Sequence, residues 1–405
     1  MARTHSPSAS SLALSNLRAI TILIVIGFHS MLAYLVWVPV TVTDFSSPPW
    51  GWRSFPIIDS HRFFGFDLFC AWQDVYLMAL FFFLSGLFVA PSLKRKQGWA
   101  FLRDRLIRLG LPFAFGTLVL IPLAIYPAYL VTAADPSFAA YWDAWLALPF
   151  WTNGPLWFLW QLLALNILVA GLHGLAPHAI ETLGRWSAAA ASRFGRYFVS
   201  LLALSALAYV PLALAFTPWA WSDTGFLAVQ LCRPLLYAVY FFAGVGAGAA
   251  GIERGLLSAD GILVRHWPRW LAAALGALLL WMGLTGLTMN GPAPLALRAA
   301  ADLSFVVACA TGCFFLIAVS LRFAAKQSRL LDGLSGNAYG LYLVHYNFVV
   351  WLQYALLGAA LFAVVKAAIV FALALGASAL TILAVRRIPF GAQLIGAPRR
   401  AVATS

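Results

Sequence analysis

Long apolar segments constrain this chain more than any other feature, because each has the length that an α-helix needs to cross a bilayer. Ten are present, at about 12–38, 73–91, 107–131, 156–176, 197–217, 226–250, 268–289, 300–322, 338–357 and 359–385. A helix of about 20 apolar residues spans the hydrocarbon core and satisfies its own backbone hydrogen bonds. The sequence therefore predicts an all-α, polytopic membrane protein with about ten transmembrane helices.

The composition agrees with a chain that lies mostly inside the membrane. Of its 405 residues, 63% are hydrophobic and only 10% are charged, whereas a soluble protein carries about a quarter charged residues. We therefore expect a single transmembrane domain over residues 12–387. The Ser-rich residues 1–11 are predicted to be a disordered cytoplasmic N-terminus, and residues 388–405 a cytoplasmic tail.

The basic residues predict which way the chain crosses the membrane. With a cytoplasmic N-terminus, 21 of the 26 Lys and Arg residues fall in cytoplasmic connections or termini, and three fall on the other side. This asymmetry follows the positive-inside rule. An even number of helices then places both termini in the cytoplasm. The net charge of +13 is explained by topology, so the bilayer is the predicted partner and nucleic acid is not.

Two features outside the helices have competing explanations. The outer connection 39–72 is rich in Pro and Trp, and it is either a lid that folds back over the membrane or an interfacial loop with aromatic anchors. A series of glycines on the sixth helix, Gly244, Gly246, Gly248 and Gly251, predicts close helix packing rather than a phosphate site.

The first helix carries the strongest candidate for chemistry. Arg18 lies at its cytoplasmic start and His29 lies eleven residues later. Eleven residues are about three turns, so the two side chains share a face and lie about 16 Å apart along the axis. A neutral histidine inside the membrane can serve as a general base. The alternative is a histidine that only bonds to a neighbouring helix.

Two arginines lie where the third helix leaves the cytoplasm. Arg105 and Arg108 occur in the segment GWAFLRDRLIRLGLP, residues 98–112, one turn apart on one face. Arginine side chains match the geometry of phosphate oxygens, so the pair can hold a cytosolic donor with several phosphates. An ordinary basic flank of a transmembrane helix is the competing explanation.

The ninth helix carries a polar stripe. Tyr339, Tyr342 and His345 follow one another at intervals of three residues. Tyrosines are common at membrane interfaces, but that explanation does not account for His345. We expect this histidine about two turns inside the cytoplasmic face.

Polar residues near the outer side suggest a second contact region. Arg233 lies near the outer end of the sixth helix, where it can receive an anionic group or pair with an acid such as Asp74. Trp157, Gln161 and Asn166 give the fourth helix polar character, for which hydrogen bonding between helices is an alternative explanation.

The sequence contains no cluster typical of metal ligands. Its four cysteines are scattered, and Cys309 and Cys313 are interpreted as small apolar residues on one helix. We therefore predict no metal.

Taken in order along the chain, these motifs resemble the acyltransferase 3 family of membrane-bound O-acyltransferases. Arg18 and His29 match its first-helix motif of Arg or Lys, ten residues and His. Residues 81–88 (FFFLSGLF) resemble its second-helix signature, and residues 105–108 (RLIR) match its RxxR motif. Residues 336–348 (GNAYGLYLVHYNF) resemble its late Tyr/His segment.

Within that family, the chain is most similar to the branch that succinylates periplasmic glucans. The similarity rests on LSNLRAI at 14–20, RLIRLGLPF at 105–113 and GPLWFL at 154–159. One departure concerns the fourth helix, where many relatives that acylate other polymers carry an acidic residue. This chain has Gln161 in LWFLWQLLALN instead, which argues against a mechanism that needs an acid there.

The resemblance implies acyl transfer across a bacterial cytoplasmic membrane, without implying an oligomeric state. Acyl-CoA is the implied donor, with Arg105, Arg108 and Arg18 around its phosphates and the acyl arm directed to His29. The implied acceptor is a hydroxyl of a cell-envelope glucan or polysaccharide. Direct transfer and a covalent acyl-enzyme remain alternatives.

Further roles follow from the same resemblance. Tyr342 and His345 are expected to shape the thioester site, and Trp157 and Arg233 to contact substrate. If the donor is succinyl-CoA, Arg233 is a candidate partner for its free carboxylate.

The principal alternative function is a secondary transporter or exporter of a small metabolite or glycan precursor. A transporter fold is expected to show inverted repeats and interrupted helices in matching positions of two halves. The sequence shows no such pairs, and export gives no reason for the Arg18 and His29 spacing. A non-catalytic scaffold, the third possibility, would tolerate substitution of His29.

Overall fold

Uninterrupted apolar sequence produces ten long helices in the part of the chain that the structure describes. This structure is a computed structural model, and it describes residues 8–38, 44–222, 227–289 and 291–388 and Gly391. The helices are α1 (Ala9–Met31), α2 (Phe64–Gly86), α3 (Gly98–Leu130), α4 (Trp157–Leu175), α5 (Phe194–Phe216), α6 (Pro234–Ala250), α7 (Trp267–Met289), α8 (Leu295–Phe323), α9 (Arg329–Ala355) and α10 (Ala363–Val385). Shorter helices in the connections include Val89–Lys96, Phe138–Leu146, Pro177–Ala188 and Ile262–Arg265.

These helices make the chain an all-α, multi-pass membrane protein. Eight of the described helices are long and apolar enough to cross a membrane. A ninth span results if α6 is counted together with Gly255–Arg265, which bends from it by 86°. Helix α9 has 27 residues but is not among the apolar spans, because polar residues such as His345, Asn347 and Gln353 lower its hydropathy. The ten predicted positions therefore correspond to helices, while eight or nine meet the criteria for a span.

Several helices begin earlier than the sequence predicted. Helix α1 begins at Ala9, where the Ser8 hydroxyl accepts a hydrogen bond from the Ser11 amide. Residues 9–11, predicted to be disordered, are therefore helical, and residues 1–7 lie outside the described residues. Helix α2 begins at Phe64 rather than at 73, because polar residues in its first turns lower the hydropathy without breaking the helix.

Helix α1 occupies the centre of the arrangement and packs against α2, α8, α9 and α10. Helices α2 and α6 approach so closely that their backbones touch. A Cβ atom on Gly244 would lie 2.1 Å from the Phe83 carbonyl oxygen, and one on Gly248 would lie 2.0 Å from that of Leu87. The predicted close packing is confirmed for these glycines, whereas Gly251 has open space around it and a positive φ of 100° at the helix end.

Both described ends of the chain lie at the same end of the bundle. The Ser15 hydroxyl near the start of α1 lies 2.8 Å from that of Ser335. Arg386, just after α10, donates to the neighbouring Gly336 carbonyl oxygen at 3.2 Å. The positive-inside rule assigns this end to the cytoplasm. The predicted tail lies almost wholly outside the described residues.

The described part of the outer connection folds back onto the helices. Trp52 is buried, and its ring stacks on Phe45 with ring centres 4.6 Å apart. The ammonium of Lys366 on α10 lies 2.7 Å from the Asp59 carboxylate, and both side chains are at most 1% exposed. This buried ion pair fixes residues 44–63 against the bundle, and none of these residues lines the cavity described below.

Candidate active site

One cavity of about 480 Å³ brings together nearly all the residues that the sequence analysis selected. Seven of the eight line it: Arg18, His29, Arg105, Arg108, Trp157, Arg233 and Tyr342. They come from four different helices and from the residue before α6, so their convergence depends on the fold and not on sequence proximity. The eighth residue, His345, is fully buried behind the cavity wall.

Side chains of helix α1 line the cavity along much of its length. Arg18, Ile22, Val25 and His29 all face it, as expected for residues three, four and eleven positions apart on a helix. The predicted common face of Arg18 and His29 is therefore confirmed.

The cytoplasmic end of the cavity is strongly basic, but its arginines are not equivalent. Arg108 is bound to Asp104, with Nε 3.0 Å from the carboxylate, and Lys96 binds the same carboxylate at 2.8 Å. Arg105 and Arg18 instead lie over the rings of Phe101 and Phe88, at 4.9 and 4.4 Å. Within the described residues neither of these two guanidinium groups has an ion-pair partner.

The backbone of α3 is distorted where the arginine motif lies. Residues Leu106–Gly110 form a π-helical turn and Gly116–Leu120 form a second one. π-Helical turns inside α-helices are rare, and they occur frequently at functional sites. Here the first turn contains Arg108 and directly follows Arg105.

The tyrosines of α9 use their hydroxyl groups to hold the cavity wall. Tyr339 donates to the Arg108 carbonyl oxygen at 2.7 Å. Tyr342 donates to the carbonyl oxygen of Pro155, just before α4. Both rings line the cavity, so α9 joins α3 and α4 along one wall.

His345 contacts His29 instead of lining the cavity. Its Nε2 lies 3.1 Å from Nδ1 of His29. Its Nδ1 lies 2.8 Å from the Tyr342 carbonyl oxygen and 3.1 Å from that of Leu341. Helix α9 begins at Arg329, so His345 lies about 24 Å along it and not two turns from its start. His345 therefore reaches the cavity only through His29, and its expected part in shaping the thioester site stays a prediction.

The outer half of the cavity is polar and aromatic. Arg233 binds Asp74 through both terminal nitrogens, at 2.8 and 2.6 Å from the two carboxylate oxygens. Trp157 stacks on Tyr237 with ring centres 5.6 Å apart. Of the two possibilities for Arg233, pairing with Asp74 is the one observed.

Sequence reasoning missed several residues of this outer half. Trp221 and Gln230 line the cavity and form an isolated β bridge. They belong to a connection between helices, where no hydrophobic period marks a site. Gln73 and Tyr237 also line it, and an amide inside an apolar run was the signal that could have identified Gln73.

The described residues contain no group of three or more His, Cys, Asp or Glu side chains placed to hold a metal ion.

Asn166 lines the cavity beside the predicted basic and aromatic residues, and its amide nitrogen donates to the Leu162 carbonyl oxygen at 2.7 Å. The described wall of the cavity thus carries imidazole, guanidinium, carboxylate, amide and aromatic groups.

One of three comparisons with known proteins gives a match. No curated protein and no solved structure gives a significant match to the chain. The family model described as an acyltransferase domain, that of the acyltransferase 3 family, matches residues 11–383. This match covers all ten helices almost completely. The chain therefore belongs to the acyltransferase 3 family and is a membrane-bound enzyme that transfers acyl groups.

Proposed function

We propose that this enzyme moves an acyl group, succinyl or acetyl, from cytoplasmic acyl-CoA to a hydroxyl of a cell-envelope glucan or other polysaccharide, in a bacterial inner membrane. The observation that carries the proposal is the single cavity that joins a basic cytoplasmic end, His29 and a polar aromatic outer end. A donor and an acceptor that approach from opposite sides of the membrane can meet only in such a passage.

The basic end suits the donor. Acyl-CoA carries several phosphates, and guanidinium groups bind phosphate through charge-assisted hydrogen bonds. Arg18 and Arg105 have no ion-pair partner within the described residues, and Asp104 takes up part of the charge of Arg108. We assign the first two to the phosphates, with the pantetheine arm directed along α1 towards His29.

The hydrogen bonds around His29 favour a role as general base. Carbonyl oxygens only accept, so Nδ1 of His345, 2.8 Å from the Tyr342 carbonyl oxygen, carries a hydrogen. Nε2 of a neutral His345 is then an acceptor for Nδ1–H of His29, which is also 3.0 Å from the Val25 carbonyl oxygen. Nε2 of His29 is left without a hydrogen, and a lone pair there can take a proton.

The reaction then follows with balanced atoms. The acceptor hydroxyl oxygen attacks the thioester carbonyl carbon while its proton passes to Nε2 of His29. The carbon–sulfur bond breaks, the new ester bond forms, and the proton passes from His29 to the CoA thiolate. Trp157 and Tyr237 offer apolar surfaces for a sugar ring at the outer end.

Cell-envelope glycans test this proposal. They are compared by mass spectrometry in a deletion strain complemented with the native gene, with His29→Ala, or with His178→Ala as a control for an exposed histidine outside the cavity. Membrane protein levels are matched. We expect a mass step of one acyl group with the native gene and the control only. Unchanged glycans with the native gene would favour the transporter alternative.

A further inference from the structure

A separate cavity, of about 540 Å³, shares no lining residue with the active-site cavity. It is lined by Ala259, Asp260, Val264, Arg265, Trp267 and Arg322. We propose that this cavity binds a phosphoethanolamine group, as the headgroup of a phosphatidylethanolamine lipid in the cytoplasmic leaflet. The proposal concerns a site that acyl transfer does not use, so it stands or falls independently of the reaction proposed above.

The cavity lies at the cytoplasmic end of the bundle. Its residues belong to the connection between α6 and α7, to the first residue of α7 and to the last turn of α8. The same connection reaches the start of α1, where the Ser10 hydroxyl donates to the Leu257 carbonyl oxygen at 2.9 Å. The end of α8 lies at the same level, because the Ser320 hydroxyl donates to the Ala13 carbonyl oxygen at 2.7 Å. The positive-inside rule assigns this end to the cytoplasm.

Lipid can approach this part of the molecule directly. Helix α7 packs chiefly against α8, and its Leu275 and Leu279 side chains are exposed apolar surface. At the cavity itself, the Trp267 ring packs edge-on against the exposed Phe323 ring, with ring centres 5.2 Å apart. Tryptophan is enriched at the level of lipid headgroups, so we place the cavity at the height where a headgroup lies.

The cavity holds charges of both signs that are unpaired within the described structure. Asp260, Arg265 and Arg322 all line it and are all exposed. None of the three is in an ion pair with any described residue. Asp260 and Arg265 stay apart although only the short helix Ile262–Arg265 separates them. An ordinary basic flank of the membrane accounts for neither the cavity nor the acid inside it.

These charges match the two charged groups of phosphoethanolamine. Guanidinium groups bind phosphate oxygens through charge-assisted hydrogen bonds, and a carboxylate accepts hydrogen bonds from a primary ammonium. A single ligand that carries a phosphate and a nearby ammonium can therefore satisfy both arginines and Asp260. Phosphatidylglycerol offers the phosphate alone and would leave the Asp260 carboxylate beside an anion, which is unfavourable. The acid thus favours phosphatidylethanolamine over phosphatidylglycerol.

Native mass spectrometry of the purified full-length protein in detergent tests the proposal. Phosphatidylethanolamine and phosphatidylglycerol with identical acyl chains are supplied in equal amounts, and the retained lipid is measured. We expect native protein to retain phosphatidylethanolamine preferentially. Arg265→Gln/Arg322→Gln should lower this retention about tenfold or more, the scale of one lost charge-assisted hydrogen bond. The control Arg193→Gln/Arg329→Gln, which changes two exposed arginines outside both cavities, should not lower it.

A second variant separates headgroup recognition from general attraction to anionic lipid. Asp260→Asn removes the partner of the ammonium, so the preference for phosphatidylethanolamine should disappear, whereas the exposed-acid control Asp332→Asn should keep it. Soluble glycerophosphoethanolamine identifies the source of the ligand: it should displace the lipid only weakly, and equal competition would assign the site to a soluble phosphoethanolamine compound instead of a lipid. Equal retention of both lipids by native protein, or unchanged retention in the double-arginine variant, would overturn the proposal.

Discussion

Nδ1 of His29 on α1 and Nε2 of His345 on α9 lie 3.1 Å apart, although the residues are 316 positions apart in sequence. His29 lines the cavity and His345 does not. His345 can therefore affect the reaction only through His29, by holding the hydrogen on Nδ1 and leaving Nε2 free. We therefore treat His345 as a positioning residue.

If His345 holds the hydrogen on Nδ1 of His29, the substitutions His345→Gln and His345→Asn should affect activity differently. Glutamine in His345→Gln places an acceptor oxygen close to the position of Nε2, whereas the shorter side chain of His345→Asn does not reach it. At metal sites, losing the partner that orients a ligating histidine costs about 10–100-fold in activity, and we take this as the scale for His345. We expect a loss of about that size in kcat for the asparagine variant, with substantial recovery for the glutamine variant.

The measurement is steady-state acyl transfer, accompanied by nitrogen NMR of labelled histidine to identify the protonated ring nitrogen of His29. Native protein and His345→Gln should show the hydrogen on Nδ1, and His345→Asn should show a mixture. Equal losses in both variants with an unchanged His29 signal would leave His345 with a packing role only.

The two arginines of the third-helix motif should differ in their effect on donor binding. Arg105 has no ion-pair partner in the described structure, whereas Arg108 is bound to Asp104. A hydrogen bond to a charged group contributes about 1.5–3 kcal/mol, so Arg105→Gln should raise KM for acyl-CoA roughly tenfold or more. Arg108→Gln should have a smaller effect. A larger effect at Arg108 would argue against this assignment of the phosphate contacts.

Close contact between α2 and α6 should make one glycine sensitive to the smallest substitution. In Gly244→Ala the new methyl group would lie 2.1 Å from the Phe83 carbonyl oxygen, so the helices must separate. Overpacking of this kind costs about 1–3 kcal/mol, and the thermal midpoint in detergent should fall. Gly276→Ala on α7 meets nothing within 4 Å and should not lower the midpoint, because alanine is the better helix former. Equal midpoints for both variants would contradict the described packing.

The buried ion pair of the outer connection should be sensitive to removal of one partner. Lys366→Met removes the ammonium from the Asp59 carboxylate, which is 1% exposed and keeps as a described partner only the neighbouring His61, with its amide at 2.8 Å and its Nδ1 at 3.3 Å from the other carboxylate oxygen. Breaking a buried pair in this way costs about 3–5 kcal/mol. The double variant Lys366→Met/Asp59→Leu removes both charges and should recover most of the stability, as measured by the unfolding midpoint. A double variant as unstable as the single one would mean that packing, not charge, fixes this connection.

The features that could be predicted from the sequence are those that depend on the length and geometry of a single helix. The length of the apolar segments fixed the fold class, and the eleven-residue interval placed Arg18 and His29 on one face. The short interval from Arg105 to Arg108 likewise brought both to the cavity. Helix geometry alone determines these relationships.

Relationships between helices could not be predicted in the same way. The contact of His345 with His29 depends on the depth of α9, whose start was placed nine residues too late because its first turns are polar. Trp221 and Gln230 reach the cavity from a connection without periodicity. The choice of Asp74 as the partner of Arg233 depends on how α2 packs against α6, which one sequence does not specify.

The role of His29 as general base is tested most directly by acyl transfer with purified His29→Ala protein, with the native protein and His178→Ala measured beside it. Acylated acceptor is quantified by mass spectrometry after incubation with acyl-CoA, on samples with matched thermal midpoints. Loss of a general base lowers the rate by about 10²–10⁴-fold, so we expect a fall of that size for His29→Ala and native activity for the control. Transfer at the native rate by His29→Ala would contradict it.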